Sequence, residues 1–265
     1  MRNIPDDNLA YPVLITLNTG FAGSGFQLNS GTNTYFITAK HVLFDNNSKI
    51  KGASATLICQ SKDIDDDSTT ILSIDLTKLK LAGQIFTHPT KDVAAIAIGH
   101  MINLNEKEGY TTKTIDGVSV TQNSKTPIVS VDGEKSVAFL KDVLISNDIF
   151  LYGYPSSLGL RQSPKFDYEK PLLRKGIVAS VNKIQGTIIL DCPVYYGNSG
   201  GPVVQVRNEG AHIKHDVIGV VSEFIPYSEN WKNQSNGITH TEISNSGYSV
   251  AVAMDFVYEM LNIKK

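Results

Sequence analysis

The stretch Gly197-Asn198-Ser199-Gly200-Gly201-Pro202 constrains this chain more than any other. Glycine tolerates positive φ and close backbone approach. Proline fixes φ and removes a donor. Three glycines around one serine, closed by a proline, build a tight turn with exposed amide N–H groups and one protruding hydroxyl. A serine hydroxyl is a weak nucleophile at neutral pH. To act, it needs a general base within hydrogen-bond reach, and the base needs an orienting group.

The rest of the chain reads as short strands. Val13 to Asn18 is apolar and β-branched, Gly20 to Gly25 reads as a turn, and Phe26–Leu28 with Tyr35–Thr38 form a hairpin around Ser30-Gly31-Thr32-Asn33. Ala53–Cys59, Thr70–Leu76 and the buried run Val93–Ile98 follow. Residues 100 to about 140 are polar and carry weak strands such as Pro127–Val131, so they read as a connection. Strands return at Ile149–Gly153, Gly176–Val181, Thr187–Leu190, Val203–Val206 and Val217–Val221. A single helix is expected from about Val250 to Ile263, with Phe256/Met260 and Val257/Leu261 on one face, packed on the second half. The pattern predicts an all-β protein of two antiparallel six-stranded β-barrels with a C-terminal helix. The expected limits are a first barrel over 1–105, a connection over 106–147, and a second barrel plus helix over 148–265.

Composition narrows the function. With 265 residues the chain can bury a good core, and 41% hydrophobic and 19% charged residues suit a globular protein. A net charge of −2 without a long basic run argues against nucleic acid or an anionic membrane as partner. Apolar runs such as Val93–Ile98 are too short to span a bilayer. The N-terminal dozen residues lack a secretory h-region, so a cytoplasmic location is expected. Cys59 and Cys192 fall in different halves, which disfavours a disulfide and agrees with a reducing compartment. No cofactor or metal is expected. The aspartates of 63–67 lack the glycine and distal glutamate of a calcium loop, and His212 and His215 form an HxxH spacing with no cysteine nearby.

Of the six histidines, only His41 has a telling setting, at the end of the buried strand Tyr35–Thr38. Asp92 lies between it and Ser199, at the head of the apolar run Val93–Ile98. A carboxylate there is costly unless paired.

Taken together, these segments resemble the trypsin-like serine proteases. The hexapeptide is similar to their nucleophile loop, Thr38-Ala39-Lys40-His41 to their histidine segment, and Asp92-Val93-Ala94 to the segment of their triad acid. Further stretches resemble the HtrA-like branch: Gly23-Ser24-Gly25-Phe26, Gly153-Tyr154-Pro155, Lys175-Gly176-Ile177-Val178-Ala179, Asp191 eight positions before Ser199 (199 − 191), and Gly219-Val220-Val221-Ser222. No PDZ module is expected, and the resemblance implies a protease domain alone. It also implies a chymotrypsin-like fold and a peptide or protein substrate. His41 would be general base, Asp92 its orienter and Ser199 the nucleophile; the amides of Gly197 and Ser199 would hold the oxyanion. The substrate pocket would have Pro193 at its base, Tyr195 and Tyr196 on one wall, and Ser222, Phe224 and Tyr248 nearby.

One departure matters. Where secreted trypsins place an aspartate before the serine, to pair with a new N-terminus, this chain has Asn198. Activation by N-terminal cleavage is not expected; restraint by a partner protein, by a narrow substrate range, or by a loop that orders only on substrate binding is. No acidic residue falls at the pocket floor, and Phe224 stands where glycine is common, so a small or medium apolar residue is expected before the scissile bond. Two other readings remain: a catalytically silent scaffold of the same fold, and an esterase.

Overall fold

The computed structural model describes residues 4–105, 109–156, 164–210, 212–233 and 235–264. The first sheet is formed by β1 (Pro12–Leu17), β2 (Ala22–Ser30), β3 (Asn33–Thr38), β4 (Ser54–Gln60), β5 (Thr69–Asp75), β6 (Ile85–Thr87), β7 (Ala94–Asn105), β8 (Gly109–Thr114), β9 (Val118–Gln122) and β10 (Val131–Asp132). Its order is β6-β7-β3-β2-β1-β4-β5-β9, with β8 on β7 and β10 parallel to β2. The second sheet contains β11 (Asp148–Gly153), β12 (Leu172–Asn182), β13 (Thr187–Asp191), β14 (Pro202–Glu209), β15 (His212–Lys232) and β16 (Thr239–Ala253). It closes as β11-β12-β13-β16-β15-β14.

Period-two alternation explains why these strands make two barrels pressed together. In β11, Ile149 and Leu151 enter the second barrel's core, whereas Phe150 and Tyr152 enter the layer between the barrels. Val203 and Val204 of β14 divide in the same way. On β3, Phe36 fills the first barrel while Tyr35 and Ile37 face the shared layer. Strands buried on both faces must be apolar throughout, which is why Ala94–Ile98 reads as an unbroken run. The first sheet curls round one core, because Val13, Phe36, Leu57, Leu72, Ile96 and Val118 meet in one cluster.

The double-barrel class agrees with expectation, but several local readings change. The first sheet has ten strands rather than six. The stretch read as a connection carries β8, β9 and β10, all paired into that sheet; β9 extends its edge by pairing with β5. Gly23 to Gly25 lie in β2, not in a turn. Leu76 starts a short helix, α2 (Leu76–Leu81), whose N-terminus is capped by Asp75 accepting from the Lys78 amide at 2.8 Å. A first one-turn helix, α1 (Lys40–Leu43), carries His41.

The C-terminal helix, α3 (Met254–Leu261), begins later than Val250 because β16 runs through Ala253. Val257, Tyr258 and Leu261 are buried in the layer between the barrels, not on the second half alone. Asp255 accepts the Leu140 amide at 2.8 Å, the Tyr258 hydroxyl donates to the carbonyl of Gly133, and Phe139 meets Tyr258 edge-on. The helix thus clamps the crossing chain. Cys59 and Cys192 are free thiols in separate cores.

Among the described residues of the second barrel, one carboxylate, Asp216, is fully buried. Arg207 donates to its Oδ2 from Nε at 2.9 Å and approaches it from Nη2 at 2.7 Å, and Lys214 Nζ lies 3.3 Å from Oδ1. Removing the partner of a buried charge costs about 3–5 kcal/mol. Arg207→Ala is expected to lose about 3 kcal/mol, the low end because Lys214 stays. Urea unfolding with an unchanged slope checks this.

Candidate active site

The site forms where the barrels meet. His41 sits on α1, which follows β3 directly, so the strand's rigid pairing with β2 and β7 aims the imidazole. Asp92 ends the loop before β7. Its Oδ1 accepts the His41 amide at 2.9 Å, and its Oδ2 lies 2.8 Å from His41 Nδ1. Ser222 of β15 donates its hydroxyl to the same Oδ2 at 2.6 Å. Burial works to raise the Asp92 carboxyl. The His41 hydrogen bond and charge, followed by Ser222, outweigh it and hold the group below the usual carboxylate range.

The loop that carries Asp92 has its own scaffold, which sequence reasoning missed. His88 is buried, and its Nδ1 accepts the amides of Thr90 at 3.2 Å and Lys91 at 3.0 Å. That leaves the proton on Nε2, which points to Glu259 of α3 at 3.6 Å. The His88 ring meets Phe256 edge-on, and Lys91 donates to the Gln185 carbonyl at 2.6 Å. The only sequence signal was a histidine four residues before the acid.

Ser199 lies in a loop with no spare volume. A Cβ on Gly200 would stand 2.1 Å from the Ser24 carbonyl oxygen, and one on Gly201 would stand 2.2 Å from that of Tyr152. Gly197 has φ +94°, open to glycine at little cost. Asn198 is buried and accepts the Tyr195 amide at 2.9 Å, so it closes the turn locally. The amides of Asn198, Gly200 and Gly201 bond to Tyr195, Val221 and Asn198 carbonyls. Those of Gly197 and Ser199 meet no acceptor among the described residues. The Ser199 hydroxyl donates to the Ser222 carbonyl at 3.2 Å. It makes no hydrogen bond to His41 among the described residues, although both line one cleft.

Ser24 joins the barrels at this point. Its buried hydroxyl donates to the Gly197 carbonyl at 2.6 Å and accepts the Tyr154 amide at 2.9 Å, while its own amide reaches the Ser199 carbonyl at 2.9 Å. Gly23-Ser24-Gly25 and Gly153-Tyr154 therefore meet the serine loop directly. Asp191 is exposed at the end of β13.

Two cavities flank Ser199. One, of about 480 Å³, is lined by Val194, Tyr195, Tyr196, Ser222, Glu223 and Phe224 beside His41 and Asp92. Tyr196 and Phe224 meet edge-on in it, with centroids 6.0 Å apart. The other, of about 470 Å³, is lined by Phe21, Ala22, Lys51, Ser156 and Gly197 among others. Tyr195, Tyr196, Ser222 and Phe224 are thus brought to the cleft as expected. Pro193 and Tyr248 are not: Val194 takes the wall, and Tyr248 pairs with Asp191 across β13 and β16. Glu223, Phe21 and Lys51 are additions that only the fold reveals. A larger cavity of about 770 Å³ lies over β4 and β5, with no histidine or cysteine in its lining. Burial pushes the Cys192 thiol up to about 11, so it stays protonated at neutral pH and unreactive.

A double barrel with a histidine held by a carboxylate, and a serine loop beside it, defines a protein of the serine-protease type of fold. The family described as trypsin-like peptidase domain matches residues 23–213, and the chain belongs to it. No curated protein matches it significantly. Among solved structures, the thermostable serine protease AL20 from an extremophilic microorganism aligns at 14% identity over 97% of both chains, with a TM-score of 0.53. The protease Anisep from Arthrobacter nicotinovorans aligns at 14% identity over 96% of this chain and 94% of its own, with a TM-score of 0.51. An HtrA-type protease with a tripeptide aligns at 14% identity over 97% of this chain and 62% of its own, with a TM-score of 0.48. At such identities the first two likenesses show the fold alone.

Two outcomes test this geometry. Ser24→Ala strands the buried Tyr154 amide and Gly197 carbonyl, and is expected to cost about 1–3 kcal/mol in urea unfolding. For Asp92, a folded-state pKa below the unfolded value of about 4 means its stabilisation is complete above that pH and fades as pH falls through the folded value. The stability advantage of wild type over Asp92→Asn should therefore shrink below about pH 4.

Proposed function

We propose that this protein is a serine endopeptidase acting through His41, Asp92 and Ser199. The observation that carries the reading is the His41 ring fixed by Asp92 on one wall of the cleft, with the Ser199 hydroxyl and two unbonded amides on the other. His41 Nδ1 donates to Asp92, which leaves Nε2 free to accept the hydroxyl proton. The Ser199 oxygen then attacks the peptide carbonyl. The Gly197 and Ser199 amides take the developing oxyanion, each worth about 3–4 kcal/mol of barrier. His41 returns the proton to the leaving amine, and water repeats the sequence on the acyl-enzyme.

The resting hydroxyl is turned to the Ser222 carbonyl. That carbonyl sits on a strand edge where an extended peptide would pair. A substrate N–H that takes it would release the hydroxyl towards His41, where hydrogen bonds often tighten only in the complex. Substrate binding would thereby supply the restraint that a cytoplasmic protease needs, with a partner protein as a further layer. Asn198 already closes its own turn, so no new N-terminus is needed. With Phe224 across from Tyr196, the cleft favours a small or medium apolar residue before the scissile bond.

A fluorophosphonate probe tests the nucleophile: wild type should label and Ser199→Ala should not. Asp92→Asn is expected to lower kcat about 10⁴-fold by removing the acceptor that holds the imidazole tautomer. A folded wild type that does not label would favour the scaffold reading. Phe224→Gly should shift cleavage towards larger residues before the scissile bond, read by mapping cleavage sites on an unfolded protein.

A further inference from the structure

β15 leaves the barrel. β14 pairs it from His212 to Val220, and β16 from Gly219 onward. Beyond Val220, β16 alone follows it to Lys232, so the β14 side is open among the described residues. The projecting hairpin has solvent on both faces, with Tyr227, Trp231 and Ile243 exposed. Bulges between Val221 and Glu223 and between Phe224 and Pro226 bend its base, and Lys232 ends it; from Tyr227 to Trp231 the register is regular and carries no proline, lysine or bulge. Those are devices that usually blunt an edge.

The open side begins at the reacting serine. β14 runs antiparallel to β15 and starts at Pro202, opposite Val220. The serine loop continues the same line: Val221 bonds to Gly201 and Gly200 at 2.9 and 2.7 Å, and Ser199 Oγ reaches the Ser222 carbonyl. A chain in the same antiparallel sense, ending at Ser199, would lie along Phe224 to Lys232. At roughly 3.4 Å per residue this edge is about 30 Å long.

The hairpin also carries a sign. Residues opposite each other share a face. Tyr227 faces Ser244, Glu229 faces Glu242, and Trp231 faces His240. Like charges directly opposed are destabilising, and neither glutamate has an ion-pair partner among the described residues. A cation set between them would relieve the repulsion and could lie on the two aromatic rings.

Resting on the endopeptidase reading, we propose that this hairpin is an extended substrate platform. It binds the residues N-terminal to the scissile bond of an unfolded, basic polypeptide as an added strand on β15. Main-chain pairing supplies reach, and Glu229 with Glu242 selects lysine or arginine upstream of the bond.

The test uses Ala-Ala-Pro-Val-aminomethylcoumarin and the same tetrapeptide extended at its N-terminus by six residues alternating Thr with Lys, or Thr with Glu. Two variants are compared with wild type. One shortens the hairpin by joining Tyr227 to Ser244, its partner in the register, through Asn-Gly; the other is Glu229→Lys with Glu242→Lys. Circular dichroism and fluorophosphonate labelling control for folding. In wild type the Lys extension should raise kcat/KM about tenfold and the Glu extension much less. The shortened hairpin should lose the gain, and the charge reversal should invert the preference. An equal gain in the shortened hairpin, or no gain in wild type, overturns the platform while cleavage of the tetrapeptide keeps the protease reading. Anisotropy of the fluorescein-labelled extended peptide on Ser199→Ala separates the converse case. Binding that needs the hairpin, in a protein that never labels, upholds the platform and overturns the protease. Absence of both overturns both.

Discussion

A partly buried carboxylate accepts hydrogen bonds from both barrels at once. Asp92 takes the amide and ring of His41 from the first and the hydroxyl of Ser222 from the second. Burial opposes its charge, and those partners reverse the balance. Neither barrel alone could hold the ion. The contact therefore makes the geometry of the site depend on the docking of the two halves, and it fixes the imidazole that any chemistry here would use.

The same dependence recurs around Ser199. Ser24 bridges β2 to the serine loop and to the end of β11. The glycines beside the serine are needed because backbone from both barrels passes within contact distance of where a Cβ would be. Further out, α3 braces the acid loop through His88 and Phe256, and braces the crossing chain through Asp255 and Tyr258. The helix is thus a fastener for the interface rather than a cover for one barrel.

Much of this was legible in the residues. Strands β1, β3, β4, β5, β11 and β13 were found within a residue or two, because their apolar runs leave a strong pattern, whereas β7, β12, β14 and β15 run well beyond the apolar cores that marked them. His41, Asp92 and Ser199 stood out because each sits in a costly or special setting. Strands β8 and β9 did not, since their side chains are largely polar and only pairing with β7 and β5 makes them strands. The projecting half of β15 and β16 was hidden for the same reason. Helix α2 was masked by its short length, although Asp75 was a visible cap. Pro193 and Tyr248 were placed by resemblance: Pro193 falls in the loop after β13, where Val194 lines the cleft, and the β13–β16 register sets Tyr248 opposite Asp191.

By itself the sequence determined the all-β class, the serine turn, and which three residues could form a relay. These follow from local rules: alternation of apolar residues, glycine's freedom, and the cost of a carboxylate heading an apolar strand. The tertiary structure alone decided what touches what. It set the Ser199 hydroxyl on the Ser222 carbonyl, put Val194 and Glu223 in the cleft, and, among the described residues, left two amides without an acceptor and ran β15 out past the site as an open edge. Those outcomes depend on register and barrel docking, and such long-range pairings leave no mark at any single position in the chain.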